Sequence, residues 1–367
     1  MKHFFTSESV TIGHPDKVCD TIADSILDEA LRQDPNSKMA VECTVKDDFV
    51  LIYGEANTQA EIDFEKIAKE TLRDIGYTEK FSVMTKVSKQ SQEINNAVMR
   101  DECDLGAGDQ GIMFGYACNE TKNYMPLAID LAHKLAYKLE QVRRQDSESP
   151  LGPDGKTQVT VEYKGNTPVR VDTIVVSSQH NAEITQEDLH HYIMERVILP
   201  TIPQELIDEN TCYLINPSGS FVVGGPFGDS GTTGRKIVVD TYGGMGRIGG
   251  GCFSSKDPSK VDRSAAYFCR YVAKNVVAAG LADRIEIQLS YAIGKSQPIS
   301  IMIDTFNTAK IEEEQILAII KNNFDFSVSN IIHELDLRKP IYRALAAYGH
   351  FGRDGYSWEK VKELKKI

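Results

Sequence analysis

Residues 15–75 contain, in this order, PDKVCDTIADSILDEALRQ, MAVECTV, FVLIYGEA and EIDFEKIAKETLRDI. In the first segment the apolar residues Val18, Ile22 and Ile26 recur every four positions, which predicts a helix with one apolar face. The next two segments alternate apolar and polar residues and predict two neighbouring strands, and the last segment predicts a second helix. This part of the chain is therefore predicted to fold in the order helix, strand, strand, helix.

The same order recurs twice in the remainder of the chain. The predicted elements cover residues 15–33, 39–45, 49–56 and 61–75, then 126–144, 158–163, 169–178 and 186–199, and finally 264–281, 284–292, 299–305 and 312–322. The predicted fold class is α+β, with three similar units that each pack helices on one face of a small sheet. We place the three domains at 1–100, 104–222 and 224–367. Residues 141–156, with two prolines and two glycines near their end, are predicted to form a loop.

The composition is that of an ordinary globular protein. The chain has 367 residues, of which 41% are hydrophobic and 26% charged, and its formal net charge is -12. The negative charge disfavours nucleic acid as a partner, although it permits a local basic pocket for a phosphate ligand. No run approaches the roughly 20 apolar residues of a membrane helix, so we expect no membrane partner and a cytoplasmic location. The cysteines are scattered without a C-x-x-C pair, which indicates neither a disulfide framework nor a zinc site.

The first motif with chemical information is GHPDK at residues 13–17. Pro15 suits the first turn of a helix. His14, Asp16 and Lys17 would then surround a helix N-terminus, whose free N–H groups favour anions such as phosphate. Asp16 could hold Mg²⁺ there, because this ion is commonly bound by a carboxylate together with phosphate oxygens. The alternative is that Asp16 only complements the helix dipole and that His14 is a surface residue.

A second motif is the glycine-rich region 224–251, which begins GGPFGDSG and ends GGMGRIGGG. Its glycines allow the backbone to approach a ligand and to turn N–H groups toward phosphate oxygens. The charged residues that suit a polyphosphate held by cations and a metal are Arg235, Lys236, Lys256, Asp257, Lys260, Asp262 and Arg263. The alternative is a surface loop with solvated charges.

Two patterns in this region favour other classes of enzyme. GMGRIG at 244–249 has the spacing of a dinucleotide-binding loop, and a strand is predicted before it at 236–240. Further glycines and Pro258 follow, so the next helix is predicted only near Ser264, and a dehydrogenase is disfavoured. GDSG at 228–231 resembles a serine-protease loop, but neither disulfides nor a matching histidine context accompany it. No P-loop pattern occurs.

Five segments together resemble the signature segments of the S-adenosylmethionine synthetase family. They are TSESV at 6–10, GHPDK at 13–17, GAGDQG at 106–111, GGGCFSSKD at 249–257 and AYGHFG at 347–352. They occur in the family's order and cover nearly the whole chain. The resemblance implies three similar α/β domains around a pseudo-threefold axis, with active sites between two subunits of a homodimer or of a dimer of dimers. It also implies ATP and L-methionine as substrates.

The resemblance further implies roles for individual residues. Asp16 and Asp262 are expected to bind Mg²⁺, with two ions per site, and Glu42 is expected to bind K⁺. The residues expected to act in catalysis by contacting the departing polyphosphate are His14, Lys156, Arg235, Lys236 and Lys256. The ATP-binding residues are expected to be these five together with Asp154, Ser220, Phe221, Asp229 and Cys252. The methionine-binding residues are expected to be Glu55, Gln90, Asp109, Asp229 and Lys260.

Some of these residues have ordinary alternatives. Glu42 and Glu55 could be solvent-facing strand carboxylates, and Gln90 begins a polar loop, 90–104, in which glutamine is common. The resemblance implies that this loop is a lid over the site. Ser220 stands where the family commonly has arginine, from which we expect weaker ATP binding than in typical members.

The reaction that the resemblance implies is attack of the methionine sulfur on the ribose C5′ of ATP. Tripolyphosphate leaves and is hydrolysed to phosphate and pyrophosphate. Because the sulfur is already a nucleophile, no protein base is required, and catalysis depends on alignment and on stabilising the leaving group. Two other functions remain, an ATP-dependent phosphotransferase and a nucleotide-binding protein without catalysis. Neither predicts a methionine pocket.

Overall fold

The computed structural model describes residues 2–89 and 105–365 of the chain. The first elements are β1 (Lys2–Val10), α1 (Pro15–Gln33), β2 (Lys38–Lys46), β3 (Phe49–Asn57), α2 (Phe64–Ile75) and β4 (Ser82–Ser88). The middle of the chain contains β5 (Gly111–Cys118), α3 (Leu127–Gln145), β6 (Leu151–Lys164), β7 (Thr167–His180), α4 (Gln186–Ile193), a short π-helix at Met194–Ile198, and β8 (Cys212–Ile215). The last third contains β9 (Gly231–Thr232), α5 (Ile237–Asp240), α6 (Val261–Ala278), β10 (Arg284–Tyr291), β11 (Ser300–Asp304), α7 (Glu313–Asn323) and α8 (Val328–Glu334). The predicted order helix, strand, strand, helix is confirmed in all three units.

The strands form three sheets with a common order. The sheets are β9-β2-β3-β4, β1-β6-β7-β8 and β5-β10-β11. The first three strands of each sheet pair antiparallel. In the first two sheets the fourth strand, β4 or β8, runs parallel to its neighbour. The three units are therefore similar in topology as well as in element order.

The first strand of each sheet comes from a different third of the sequence. β1 precedes α1 but pairs with β6, β5 precedes α3 but pairs with β10, and β9 precedes α6 but pairs with β2. This cyclic exchange is the connectivity expected of three similar α/β units around a pseudo-threefold axis, which is the predicted fold class. The domain boundaries at 1–100, 104–222 and 224–367 remain a proposal, because the sheets cross them.

One long helix packs on one face of each sheet. α1 packs on β2 and β9, α3 on β1 and β6, and α6 on β5 and β10. In β2 the side chains of Met39, Val41 and Cys43 are buried beneath the helix, and the residues between them, including Glu42, lie on the opposite face. Burial of one large aliphatic side chain contributes about 1.5 to 3 kcal/mol. A register slip of one residue would move this whole apolar set to the other face, so the pattern also fixes the register.

The predicted loop at 141–156 was wrong for most of its length, because α3 extends into it from one side and β6 from the other. β6 pairs with β7 through a register shift between Leu151 and Gly155. Such an irregularity tolerates Pro153, which has no N–H to donate to a regular ladder. Lys156 and its neighbours therefore stand on a strand.

The predicted strand at 236–240 was also wrong, since these residues contain the short helix α5. A brief apolar run does not distinguish a strand from a helical turn by its periodicity. The next helix, α6, begins at Val261 instead of near Ser264, which places Asp262 in its first turn. A loop still separates α6 from the last glycines, whereas the last glycine of a dinucleotide-binding loop would open the helix.

The buried apolar side chains form two clusters. The larger one joins α1, β2 and β3 to α6 and β10, and the smaller one lies among α3, β6, β7 and α4. The first and last thirds of the chain thus share one core. Across the described ranges, no helix combines the length and apolar character of a membrane span.

Candidate functional site

The first group of candidate residues lies at the N-terminus of α1, and we call it the helix-start cluster. Its members are His14, Asp16, Lys156, Arg235 and Lys236. His14 is the N-cap residue of α1, and its Nδ1 accepts a hydrogen bond from the N–H of Asp16 at 3.2 Å. A Cβ on Gly13 would lie 2.2 Å from the carbonyl oxygen of Pro153 on β6. The glycine therefore allows the turn before α1 to pack directly against the strand that carries Lys156.

Asp16 is the anionic centre of the helix-start cluster and is only 1% exposed. Its Oδ2 lies 2.5 Å from Nζ of Lys236, and its Oδ1 lies 3.7 Å from the Arg235 guanidinium. Oδ1 also accepts the N–H of Thr232 on β9 at 3.0 Å. Burial by itself would raise the pKa of Asp16, but the hydrogen bonds from Lys236 and Thr232 outweigh it and the pKa lies below its ordinary value. Asp16 is therefore a buried carboxylate that holds two cations.

His14 is uncharged in this cluster at neutral pH. Burial lowers its pKa to about 3, and the positive charges of Lys236 and Lys156 act in the same direction. Asp16 opposes this shift without reversing it. The imidazole can thus exchange hydrogen bonds with a phosphate but brings no positive charge. Lys17 does not join the cluster, because its Nζ donates to two carboxylates in the core.

Asp154 reaches the same region from β6. Its Oδ2 accepts the N–H of Gly225 at 2.8 Å, which attaches the strand to the glycine-rich region. Burial raises the pKa of Asp154 to about 6, although the Gly225 N–H and Lys156 oppose this, and the exposed Asp229 raises it further. Its Oδ1 is buried and has no hydrogen-bond partner among the described residues. A ligand hydroxyl or amine could satisfy this acceptor.

Ser220 and Phe221 lie beside Asp154 at the edge of this region. The N–H of Phe221 donates to Nε2 of His180 at 3.0 Å, and the N–H of His180 donates back to the carbonyl of Phe221 at 3.0 Å. Oε1 of Gln179 accepts a hydrogen bond from the N–H of Asp154 at 3.2 Å, and Nε2 of Gln179 donates one to the carbonyl of Val222 at 3.1 Å. Ser220 is exposed. The segment is thus fixed next to Asp154 with its serine facing outward.

The second group of candidate residues lies at the N-terminus of α6, and we call it the α6 cluster. Its members are Lys256, Asp257, Lys260 and Asp262. Nζ of Lys256 lies 2.5 Å from Oδ2 of Asp262, and Lys260 donates to the buried Asp257. Asp257 also accepts the N–H of Met39 at 2.8 Å, which ties this helix start to β2. The side chains of Lys256 and Asp262 are 18% and 22% exposed, so both are accessible to a ligand.

Cys252 and Glu42 lie near the α6 cluster. Burial raises the pKa of the Cys252 thiol to about 11 even though the charge of Lys256 opposes it, and Glu42 and Asp262 add to the increase. The thiol is therefore protonated at neutral pH, and Cys252 is a packed small residue and not a reactive thiolate. Oε2 of Glu42 accepts the hydroxyl of Tyr53 at 3.3 Å on the sheet face away from α1.

The predicted methionine-binding residues lie on several elements. Asp109 is close to the α6 cluster, because a Cβ on Gly108 would lie 3.4 Å from the carbonyl oxygen of Ser259 and one on Gly111 would lie 3.4 Å from Oδ1 of Asp262. Glu55 on β3 and Asp109 before β5 are both exposed. Within the described ranges, no hydrogen bond or ion pair joins either of them to Lys260 or Asp229. Their shared role stays a prediction, and Gln90 and the proposed lid lie outside the described residues.

Neither cluster holds a set of protein ligands sufficient for a metal ion. In residues 2–89 and 105–365, no group of three or more His, Cys, Asp and Glu side chains is arranged to bind one. Asp16 and Asp262 each supply one carboxylate, and each is paired with a lysine. This donor set fits Mg²⁺ when phosphate oxygens complete the coordination, which is the usual situation beside nucleotides.

Sequence reasoning missed a row of carboxylates on α1. Asp20, Asp24 and Asp28 follow Asp16 at intervals of four residues, and all of them are buried. The signal was present as aspartate at every fourth position. It was missed because carboxylates are seldom buried, and only the apolar periodicity of the segment was used.

Comparison with known proteins assigns the whole chain to one family. Residues 2–99 match the N-terminal domain of S-adenosylmethionine synthetase, residues 104–221 its central domain, and residues 223–360 its C-terminal domain. The chain is also 53% identical to the S-adenosylmethionine synthase of Clostridium tetani (strain Massachusetts / E88) over 387 aligned positions. That alignment covers 100% of this chain and 99% of the relative. The chain therefore belongs to the S-adenosylmethionine synthetase family.

Proposed function

We propose that the chain forms S-adenosylmethionine from ATP and L-methionine through attack of the methionine sulfur on the ribose C5′. The S–C5′ bond forms as the C5′–O bond breaks, and the tripolyphosphate that leaves is hydrolysed to phosphate and pyrophosphate. The observation that carries this proposal is the helix-start cluster, in which Asp16 holds Arg235 and Lys236 at the N-terminus of α1. Helix N-terminal N–H groups and fixed cations suit a departing polyanion.

The side chains of the helix-start cluster act on the leaving group. Lys156, Arg235 and Lys236 place positive charge where negative charge develops, and Lys256 adds to it from the α6 cluster. His14, being neutral, contributes a hydrogen bond and not a charge. No residue is needed as a base, because the attacking sulfur has no proton to lose.

Asp16 and Asp262 are the residues that would hold Mg²⁺, two ions per site, and Glu42 is the residue that would hold K⁺. Bound Mg²⁺ supplies neutralisation of phosphate charge. Lys236 and Lys256 are paired with these two carboxylates. We propose that both lysines exchange this pairing for phosphate oxygens when the substrate binds.

A second copy of the chain would complete the site. Glu55 and Asp109 are exposed, and among the described residues neither forms a hydrogen bond or an ion pair with the helix-start cluster. The sheet faces without helices also expose apolar side chains, among them Phe4, Ile112 and Met302. We propose that a homodimer, or a dimer of dimers, covers these faces and brings the methionine-binding residues to the clusters of the partner. A cytoplasmic location, without nucleic-acid or membrane partners, stays a prediction.

The test is incubation of the purified protein with ATP, methionine, Mg²⁺ and K⁺, followed by mass spectrometry and assays for phosphate and pyrophosphate. We expect S-adenosylmethionine together with equal amounts of phosphate and pyrophosphate, and no product when methionine is omitted. ADP or AMP without a sulfonium product would instead identify a phosphotransferase. Intact ATP would contradict the proposed reaction and leave a nucleotide-binding protein without catalysis or an inactive variant of the enzyme.

A further inference from the structure

Helix α1 carries an aspartate on each of four consecutive turns, and we call these residues the aspartate row. Its members are Asp16, Asp20, Asp24 and Asp28, which lie on one face of the helix because they are four residues apart. Their exposed fractions are 1%, 0%, 0% and 6%. Buried carboxylates require partners. All four find partners in the last third of the chain.

Asp20 holds the turn from which two candidate cations extend. Its Oδ1 accepts the N–H of Gly234 at 2.8 Å, and Gly234 directly precedes Arg235 and Lys236. Its Oδ2 accepts from Nζ of Lys17 at 2.9 Å, so neither oxygen is left without a donor. Gly234 has a φ of 80°, a conformation that favours glycine. The turn is thus fixed both by its own backbone and by a buried carboxylate.

Asp24 holds the segment that precedes the α6 cluster. It forms two hydrogen bonds with the guanidinium of Arg263, at 2.8 and 2.7 Å. It also accepts from Oγ of Ser254 at 3.0 Å and from the N–H of Ser255 at 3.1 Å. Nη1 of Arg263 donates in addition to the carbonyl of Lys256 at 3.2 Å. One buried ion pair therefore fixes the backbone of Lys256 and the first turn of α6.

Asp28 has the same chemistry but holds a different part of the molecule. Its two oxygens accept the N–H groups of Tyr342 and Arg343, each at 2.9 Å. These residues begin a short turn that carries none of the candidate site residues. The Arg263 guanidinium lies over the Tyr342 ring, 4.1 Å from the ring centroid, but the hydrogen bonds of Asp28 do not reach the backbone of either cluster. Asp28→Asn is therefore the control for removing a buried carboxylate from this helix face without freeing Gly234 or Lys256.

We infer that Asp20, Asp24 and Arg263 are positioning residues, which keep the cations of the helix-start cluster and of the α6 cluster in place relative to Asp16. They act through the backbone at Gly234 and Lys256 and do not themselves contact the reacting atoms. The inference rests on the proposed function for its kinetic readout. A displacement of about 1 Å in such a site costs up to about 100-fold in rate.

The experiment compares Asp24→Asn and Ser254→Ala with the control Asp28→Asn, each in the full-length chain. The measurements are kcat, KM for ATP, Tm, and the affinity for tripolyphosphate by calorimetry. We expect Asp24→Asn to lower kcat by about 10- to 100-fold and to weaken tripolyphosphate binding. Ser254→Ala removes one hydrogen bond and keeps the ion pair, so kcat should fall about 3- to 10-fold. Asp28→Asn should lower Tm and leave kcat within about twofold.

A purely structural role would make kcat follow Tm in all three variants, and that result would overturn the inference. Unchanged tripolyphosphate affinity in both Asp24→Asn and Ser254→Ala would overturn it as well. If Asp24→Asn does not fold, Ser254→Ala decides the question. If the wild type forms no S-adenosylmethionine, the proposed function has failed, and the tripolyphosphate affinities alone test the positioning role.

Discussion

Asp16 and His14 are close neighbours at the start of α1, but burial leaves them in different charge states. Asp16 keeps its negative charge because Lys236 and Thr232 donate hydrogen bonds to its carboxylate. For His14, burial and the charges of the neighbouring lysines outweigh the opposing charge of Asp16, so its pKa falls to about 3. The charge of the helix-start cluster is therefore carried by Asp16 and by lysine and arginine side chains.

We predict that the His14 imidazole stays neutral from about pH 8 down to about pH 5. Its folded-state pKa of about 3 lies below the ordinary value of 6.5, so the unfolded chain takes up the proton first. The resulting stability is present above about pH 6.5 and is lost as the pH falls toward about 3. Side-chain NMR of histidine, assigned with His14→Gln, measures the titration. A midpoint near the ordinary value would contradict the prediction.

We predict that Asp16→Asn lowers kcat by roughly 100- to 1000-fold, because an amide holds neither Mg²⁺ nor two cations in place. The Mg²⁺ concentration needed for half-maximal rate should rise at the same time. Asp34→Asn at the other end of α1, the C-cap, is the control and should leave both quantities unchanged. A normal Mg²⁺ dependence in Asp16→Asn would exclude this role.

We predict that KM for ATP rises as the pH falls below about 6, the pKa to which burial raises Asp154. Protonation converts the unpaired acceptor of this carboxyl group into a donor, so a ligand hydroxyl or amine would lose its partner. The measurement is KM for ATP in the wild type and in Asp154→Asn, between about pH 5 and about pH 8. In Asp154→Asn the rise of KM at low pH should disappear. A rise that persists in the variant would refute the assignment of this titration to Asp154.

At the level of elements, periodicity predicted the helix, strand, strand, helix order of all three units, but it missed the strands β1, β4, β5, β8 and β9 and the short helix α8. β1 shows the reason. The side chains of Ser7 and Ser9 point inward. Oγ of Ser7 donates a hydrogen bond to the carbonyl of Gly243, and Oγ of Ser9 is hydrogen-bonded to Nδ1 of His133, each at 2.8 Å. A strand that buries hydrogen-bonded serines does not alternate in hydrophobicity. β9 has only two residues, too few for any pattern.

The sequence predicted which residues belong to the candidate site, but it did not predict which of them contact one another. GHPDK and the basic residues after the glycines identified both clusters, because helix starts and cation groups are local features. Contacts such as Asp16 with Lys236 join residues far apart in the chain, and no local pattern reports them. The aspartate row was present as a local repeat, but its burial depends on partners far away in the chain, which the repeat does not report.

We predict that Gly13→Ala lowers kcat at least about 10-fold. Its Cβ would lie 2.2 Å from the carbonyl oxygen of Pro153 and would push the start of α1 away from β6. Gly165→Ala in the turn after β6 is the matched control, because its Cβ would meet nothing within 4 Å. With a φ of 62° it should cost only about 1 to 2 kcal/mol of stability and leave kcat unchanged. Equal kinetic effects in the two variants would argue against the close approach at Gly13.

At the scale of the whole molecule, the cyclic exchange of strands makes the three units depend on one another. The sheet of the first third includes β9, and the strand β1 belongs to the sheet of the second third. The larger core also joins α1 and β2 to α6 and β10. Stability should therefore be a property of the complete chain.

We predict that the isolated segment 1–100 does not unfold cooperatively, because it lacks β6, β9 and the part of the larger core that α6 and β10 supply. Circular dichroism during heating measures this, with the full-length chain as the reference. Mixing the segment with the complementary segment 101–367 should restore a cooperative transition. A sharp transition in the isolated segment would show that the first unit does not depend on the other two for its stability.

The exchange of strands also determines how the chain must fold during its synthesis. β1 ends at residue 10, whereas its partner β6 ends at residue 164. At about 5 to 20 residues per second, roughly 8 to 30 s separate the emergence of the two strands from the ribosome. The interval between the synthesis of β2 and that of its partner β9 is longer still. The nascent chain thus carries open strand edges for most of its translation, and these edges must be shielded from aggregation by something other than its own finished sheets.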